Sequence, residues 1–273
     1  MSMALGTSIF RARVQPLERG MRLFVFGLGY SAKAIVDGLT DGWTVEATGA
    51  EGTVAFGDDD AVRAALARAS HVLSSVPPDR AGDPVLERYG DALGRAWLGY
   101  LSSTGVYGDT GGAWVDESAP TAGRREARVA ADAAWLARGA RVFRLPGIYG
   151  AGRSALDRVR AGAAHRIELP GQVFSRVHVE DIARGVAGGL GAPPGAYNLA
   201  DDLPAGANAV TEEACRLLGV APPPLQTLAE ARLSPQAAAF YGENRRVANG
   251  KAKRVLGWRL RYPTYREGLA SLR

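Results

Sequence analysis

The chain has 273 residues, is 47% hydrophobic and 22% charged, and carries a net charge of +5. That composition supports a sizeable core, so disorder through most of the chain is excluded and one large domain, or a main domain with a smaller lobe, is expected. The single cysteine, Cys215, excludes a disulfide framework and a cysteine-based zinc site, and it fits a reducing, cytoplasmic compartment. No apolar run reaches the roughly 18–20 residues of a membrane span, so no membrane association is expected. His71, His165 and His178 are too scattered for metal-ligand spacing, and no metal is expected.

Residues 1–20 contain Arg11, Arg13 and Arg19 but no apolar stretch long enough for a secretory signal. They read as a disordered extension or the product of an early start, with a transit peptide as the alternative. From Met21 onward short apolar runs alternate with helical patterns. "MRLFVF", "WTVEAT", "TVAF", "HVLSSV", "WLGYLSS" and "ARVFRL" read as strands, and "SAKAIVDGL", "DAVRAALARA", "PVLERYGDAL" and the alanine-rich stretch before Trp135 as helices. Continuous apolar strands separated by helices predict a parallel sheet covered on both faces, a Rossmann-type doubly wound α/β fold over residues 21–150. Beyond residue 150 the alternation is irregular. Residues 151–273 therefore read mostly as a smaller C-terminal substrate lobe interleaved with the last sheet strands.

The first strand runs directly into Gly27-Leu28-Gly29-Tyr30-Ser31-Ala32 and then a helix. Between a strand and a helix this pattern points to dinucleotide binding. Gly27 permits the tight turn, Gly29 admits a pyrophosphate to the backbone, and Ala32 keeps the helix close to the sheet. Tyr30 and Ser31 open the helix, whose first N–H groups face the anion. Some 20 residues on, at the second strand's tip, an acid would select NAD. The chain reads Ala47-Thr48-Gly49-Ala50-Glu51 there, so NAD and NADP are not distinguished. Asp58 is placed either to accept from an adenine amino group or to cap the next helix.

The strand at residues 97–103 ends in Ser102, Ser103 and Thr104, at the edge where open α/β sheets bind ligands. "SSTGVYGD" with "DESAP", then "RLPGIYGAG", "FSRVHVEDIARGV", "YNLADDLP" and "LGWRLRYPTYREGL", resemble in order the segments of the extended short-chain dehydrogenase/reductase superfamily, the NAD-dependent epimerase/dehydratase family. The resemblance covers about residues 21–270. It implies hydride chemistry at NAD or NADP on a small-molecule substrate, with Ser103 polarising a substrate oxygen.

The same resemblance places Arg124 and Arg128 of "PTAGRREARVAADAAW" where the family carries the tyrosine and lysine of its Tyr-x-x-x-Lys pair. The chain looks like an atypical subgroup with a good cofactor loop and a poor catalytic set. An arginine stays protonated in proteins, so Arg124 cannot take a proton from a hydroxyl, whereas Arg128 keeps a charge that a ribose can accept from. The alternative for both is one solvated helix face shared with Glu126 and Asp132. An arginine fork suits a carboxylate or phosphate, which makes an anionic substrate the expectation. Tyr107 and Tyr149, at strand carboxyl ends, are the residues weighed as replacement acid/bases. His178 and Asp181 read as a helix start and lobe packing. In that family the same helix packs into a dimer, so a homodimer is expected. A non-catalytic NAD(P)-binding sensor is the competing function.

The charge excess lies at the end: Asn244–Arg273 hold nine Lys/Arg and one Glu. These alternate with Val255, Leu256, Trp258 and Tyr262 and read as a solvated or anion-facing surface, with no nucleic-acid partner expected.

Overall fold

Alternation along the first strand, β1 (Met21–Phe26), sets up two cores at once. Leu23 and Val25 point to one face, Phe24 and Phe26 to the other, and all four are buried. The computed structural model describes residues 20–233, 238–239 and 241–273; the extension expected over residues 1–20 lies, apart from Gly20, outside them.

In chain order β1 is followed by α1 (Tyr30–Asp37), β2 (Trp43–Ala47), α2 (Asp59–Arg68), β3 (His71–Ser74), α3 (Pro84–Tyr89) and β4 (Trp97–Ser103). Next come β5 (Trp114–Val115), α4 (Glu126–Ala137), β6 (Arg141–Leu145), β7 (Gly147–Tyr149), α5 (Ala155–Arg160), β8 (Arg166–Ile167) and β9 (Arg176–His178). The rest are α6 (Val179–Gly189), β10 (Gly195–Asn198), α7 (Ala207–Leu218), β11 (Leu225–Gln226), β12 (Arg246–Val247), α8 (Gly250–Val255) and α9 (Tyr265–Ala270).

Six strands form one parallel sheet in the order β10-β6-β4-β3-β1-β2. On one face α1 and α6 bury Ile35, Ile182 and Val186 against Leu23, Val25 and Phe143. On the other, α2, α3 and α4 bury Leu66, Val85, Tyr89 and Trp135 against Phe24, Phe26 and Tyr100. The sheet is therefore doubly wound, and the chain reverses direction between β1 and β3, where such sheets bind ligands. A third cluster, including Tyr149, Leu156, Val210, Leu217, Tyr265 and Leu269, joins α5, α7 and α9. Outside the main sheet lie the short parallel pairs β7–β9, β8–β11 and β5–β12.

Three expectations change. "TVAF" is not a strand but a single bridge, Thr48 to Val54, because Phe56 turns inward against Phe26 and Tyr89. Arg124 does not share a helix face with Arg128: α4 starts at Glu126. A Cβ on Gly123 would collide with the Gly105 carbonyl oxygen, and Gly123 N donates to Val106 O at 2.9 Å, so the backbone there is pinned to the loop after β4 and is not helical. Asp132, read as a surface charge beside Glu126, is 1% exposed.

Asp132 meets Arg144 of β6 edge to edge, at 2.7 Å (Nη2 to Oδ1) and 3.1 Å (Nε to Oδ2). Ser102 Oγ donates to the same carboxylate at 2.6 Å, and Arg144 Nη1 donates to the Tyr107 hydroxyl at 2.9 Å. Tyr107 in turn donates to Asn198 Oδ1 at 2.7 Å. Removing one member of a buried ion pair strands the other's charge. Asp132→Ala is thus expected to lower unfolding free energy by about 3–5 kcal/mol, while Glu126→Ala on the exposed face changes it by less than about 0.5 kcal/mol. Chemical denaturation of both variants measures this, and equal midpoints would remove the structural role assigned to the pair.

Candidate functional site

The glycine turn is built from the backbone outward. Gly27 sits at φ +80°, where an L side chain is strained, and a Cβ there would press on Val76 and Ser75. Gly29 has nothing within 4 Å of where a Cβ would be, so the space above it is open. It is the N-cap of α1, with no side-chain cap and no acid in the first turn. An uncapped helix start with open backbone above it fits a dinucleotide's pyrophosphate.

Thr48 braces the turn. Its hydroxyl accepts from Gly27 N at 3.0 Å and its carbonyl accepts from Leu28 N at 2.7 Å. Ser75 Oγ donates to the Gly27 carbonyl. Ala32 is fully buried against the sheet, and Ser31 is half-buried. The Tyr30 hydroxyl donates to Ala151 O at 3.1 Å, and the Arg153 guanidinium lies 5.7 Å over its ring. Asp58 caps α2, accepting from Ala61 N at 3.1 Å. Glu51 is exposed and paired with Lys33.

Beside the turn's edge of the sheet lies a cavity of about 1000 Å³. Ser103, Arg124 and Arg128 all line it. Ser103 Oγ accepts from Gly105 N at 3.1 Å, which leaves its O–H to donate. Arg128 Nη1 donates to the Tyr100 hydroxyl at 3.1 Å, while its Nε is buried without a partner. Burial against Trp135 pushes the Tyr100 phenol up to about 12, so it stays protonated. Arg124 is largely exposed and its Nε donates to Glu243 Oε1 at 2.8 Å.

The two substitute tyrosines lie elsewhere. Tyr107 is buried in the Arg144–Asn198 network, and Tyr149 packs edge-on to His178 beneath Gly268. Neither is among the cavity's lining residues. His178 Nδ1 accepts from Glu180 N at the start of α6, and Asp181 accepts from Arg261 N and Tyr262 N.

Sequence reasoning passed over Arg176, Tyr241, Glu243 and Arg245, which complete the cavity wall. The basic tail was the available signal, since Arg245 belongs to it. Elsewhere the tail is tied into the fold: Lys251 Nζ donates to Ala196 O, and Lys253 and Arg261 pair with Asp202 and Glu180.

No family model and no curated protein matches the chain. Among solved structures, a functionally unknown conserved protein from Silicibacter pomeroyi DSS is 40% identical, with TM-score 0.82, over 92% of this chain and 98% of that one. The chain belongs to that protein's family. The dTDP-glucose 4,6-dehydratase of Bacillus anthracis str. Ames in complex with NAD shares its fold at 15% identity and TM-score 0.73, over 92% of this chain and 95% of that one. So does the human epimerase family protein SDR39U1 with NADPH, at 18% identity and TM-score 0.73, over 92% and 99%. The fold is thus the Rossmann-like one of the epimerase/dehydratase structures. Among the described residues no helix is long and apolar enough to cross a membrane.

One buried acid behind the cavity carries a pH dependence. Asp201 is 1% exposed, and its Oδ2 has no partner. Burial raises its carboxyl to about 7, with Arg176 only partly offsetting this. A carboxyl raised on folding binds its proton more tightly in the native state. Its contribution is therefore fully present below the unfolded value near 4 and is lost as pH rises through about 7. Asp201→Asn is expected to flatten the decline in denaturation midpoint between about pH 4 and pH 7. Equal pH dependence of the wild-type and Asp201→Asn midpoints over that window would contradict the assignment.

Proposed function

We propose that this chain binds NAD or NADP along Gly27–Ala32 and carries out oxidoreductase or epimerase-type chemistry on a small anionic substrate held over Ser103. The observation that carries it is the shared carboxyl edge of one parallel sheet, with an open, uncapped α1 start after β1 and a donor hydroxyl at the end of β4 facing a cationic cavity. When bound, the nicotinamide supplies hydride acceptance and donation. Ser103 donates its O–H to a substrate oxygen. Arg128, fixed through Tyr100 and with N–H groups to spare, holds hydroxyls of the cofactor ribose. Arg124 and its neighbours hold the substrate's anionic group and keep their protons throughout. The proton relay is accordingly not the Tyr-x-x-x-Lys one.

A sensor without chemistry is the second reading. It is favoured by Arg124, which stands at the tyrosine's place and is committed to Glu243. A homodimer through α4, whose Ala130, Ala133 and Ala137 are exposed on one face, is the assembly we propose; a monomer mass in sedimentation at all concentrations would remove it.

Titration with NADH and NADPH, followed by Tyr/Trp emission and melting temperature, is the first test. If neither cofactor binds, both readings lose their foundation. Arg128→Ala is expected to weaken cofactor binding by about 1.5–3 kcal/mol, one charge-assisted hydrogen bond, and unchanged affinity would place Arg128 outside the cofactor site. Ser103→Ala is expected to leave cofactor affinity intact. Hydride transfer on a carbonyl and nucleotide-sugar panel separates the enzyme from the sensor.

A further inference from the structure

Five arginines, Arg124, Arg125, Arg128, Arg176 and Arg245, line the cavity beside Ser103 with one carboxylate, Glu243, among them. Glu243 is fully engaged, taking Arg124 Nε on one oxygen and Arg245 Nη1 on the other at 2.7 Å. Among the described residues no carboxylate lies within 4 Å of the nitrogens of Arg125, Arg128 or Arg176. The cavity's formal charge is therefore well above neutral before anything enters it.

Arg176 is held in place by neutral acceptors, and Arg245 by Glu243 together with a carbonyl. Arg176 Nη1 donates to Phe174 O and Ala205 O, both at 2.8 Å, which fixes the guanidinium without cancelling its charge. Burial lowers Arg176 to about 10, so it remains a cation at neutral pH. Arg245 Nη1 also donates to Gly108 O at 2.7 Å. From the point where a side chain at Gly105 would begin, Arg245 Nη2 is 3.9 Å away and Ser103 Oγ is 3.3 Å away. The missing side chain of Gly105 thus leaves an opening shared by the hydroxyl and a guanidinium. Arg245 belongs to the reacting end of the cavity, and Arg176 to its lobe wall on β9.

Glu243 supplies one negative charge to Arg124 and Arg245 together, so that pair keeps one uncompensated positive charge beside Ser103 and Arg176 keeps another, and a monoanion can answer only one of the two. We propose that the cavity takes a small dianion, with one anionic group on Arg245 beside Ser103 and the second on Arg176. This rests on the reading that Ser103 orients the substrate. The shared chemistry is two negative charges on a molecule small enough for the cavity, carried by a dicarboxylate or a phosphate ester.

Calorimetric titration of the full chain at constant ionic strength tests this, with acetate as monoanion, malonate, succinate and glutarate as dicarboxylates, and glycerol 3-phosphate as phosphate ester. At least one dianion is expected to bind about tenfold or more tightly than acetate, the difference one charge-assisted contact makes. A dicarboxylate preference or a phosphate preference would each support the proposal and name the source. Arg245→Gln and Arg176→Gln are each expected to bring that affinity down by about tenfold, and Gly105→Ala to weaken it by filling the opening. Arg176→Gln also releases two carbonyls, so Arg245→Gln, checked by circular dichroism, keeps the test decisive. If no dianion exceeds acetate, or if folded Arg245→Gln binds like wild type, the proposal falls. NADPH affinity read in the same samples separates the two failures: cofactor bound without dianion preference removes this inference alone, and dianion preference without cofactor removes the dinucleotide reading alone.

Discussion

Arg144 and Asp132 meet edge to edge in the interior, with side-chain exposures of 4% and 1%, and most of the candidate site is hung from that contact. Two charges taken out of water are costly unless every remaining donor and acceptor is also used. Here they are used, by Ser102, Tyr107 and, through Tyr107, Asn198. The network ties α4 to β4, β6 and β10 at the carboxyl edge of the sheet. Ser102 is locked toward Asp132, and Ser103, the next residue and the last of β4, lines the cavity at the sheet's carboxyl edge. The same anchoring of α4 sets Arg128 against Tyr100, itself stacked on Trp135 at 5.3 Å.

The glycine turn is braced in a similar way, by groups remote in sequence. Thr48 and Ser75 hold Gly27 from both neighbouring strands, so the turn's positive-φ backbone is fixed on two sides. Tyr30 spans from the first residue of α1 to the loop after β7, where Gly150 makes room for its hydroxyl. The turn and the lobe side are therefore not independent, and a bulky residue at position 150 would disturb both.

The sheet was legible because buried parallel strands are written as continuous apolar runs, and the turn because its chemistry is local. What failed to be legible depended on tertiary contact. The start of α4 is decided by Gly123 against the backbone of Gly105, which no helical periodicity records. Asp132 looked like an ordinary surface charge; the clue to its burial was a lone arginine, Arg144, inside the apolar run "ARVFRL". "TVAF" had strand composition, yet Phe56 spends its side chain on the aromatic cluster with Phe26 and Tyr89, and the pairing shrinks to one bridge. Arg176 and Arg245 come from β9 and the segment entering β12, which meet only through the fold.

Arg124 and Arg128 offer a different physical capability from that of a tyrosine–lysine pair. A phenol near a lysine can take and return a proton, because its charge state is within reach of ordinary pH. A guanidinium cannot, but it offers a fixed charge and a planar fork of donors at every pH a cell experiences. Placing several such groups around one hydroxyl makes the cavity discriminate by charge and shape of the occupant. That arrangement is useful only if the occupant supplies the missing negative charge, since like charges confined together at the sheet edge otherwise raise the energy of the empty state. Glu243, lying between Arg124 and Arg245, relieves part of that repulsion in the protein itself. The charge left over is the most informative property of the site, because it constrains the ligand without reference to any relative.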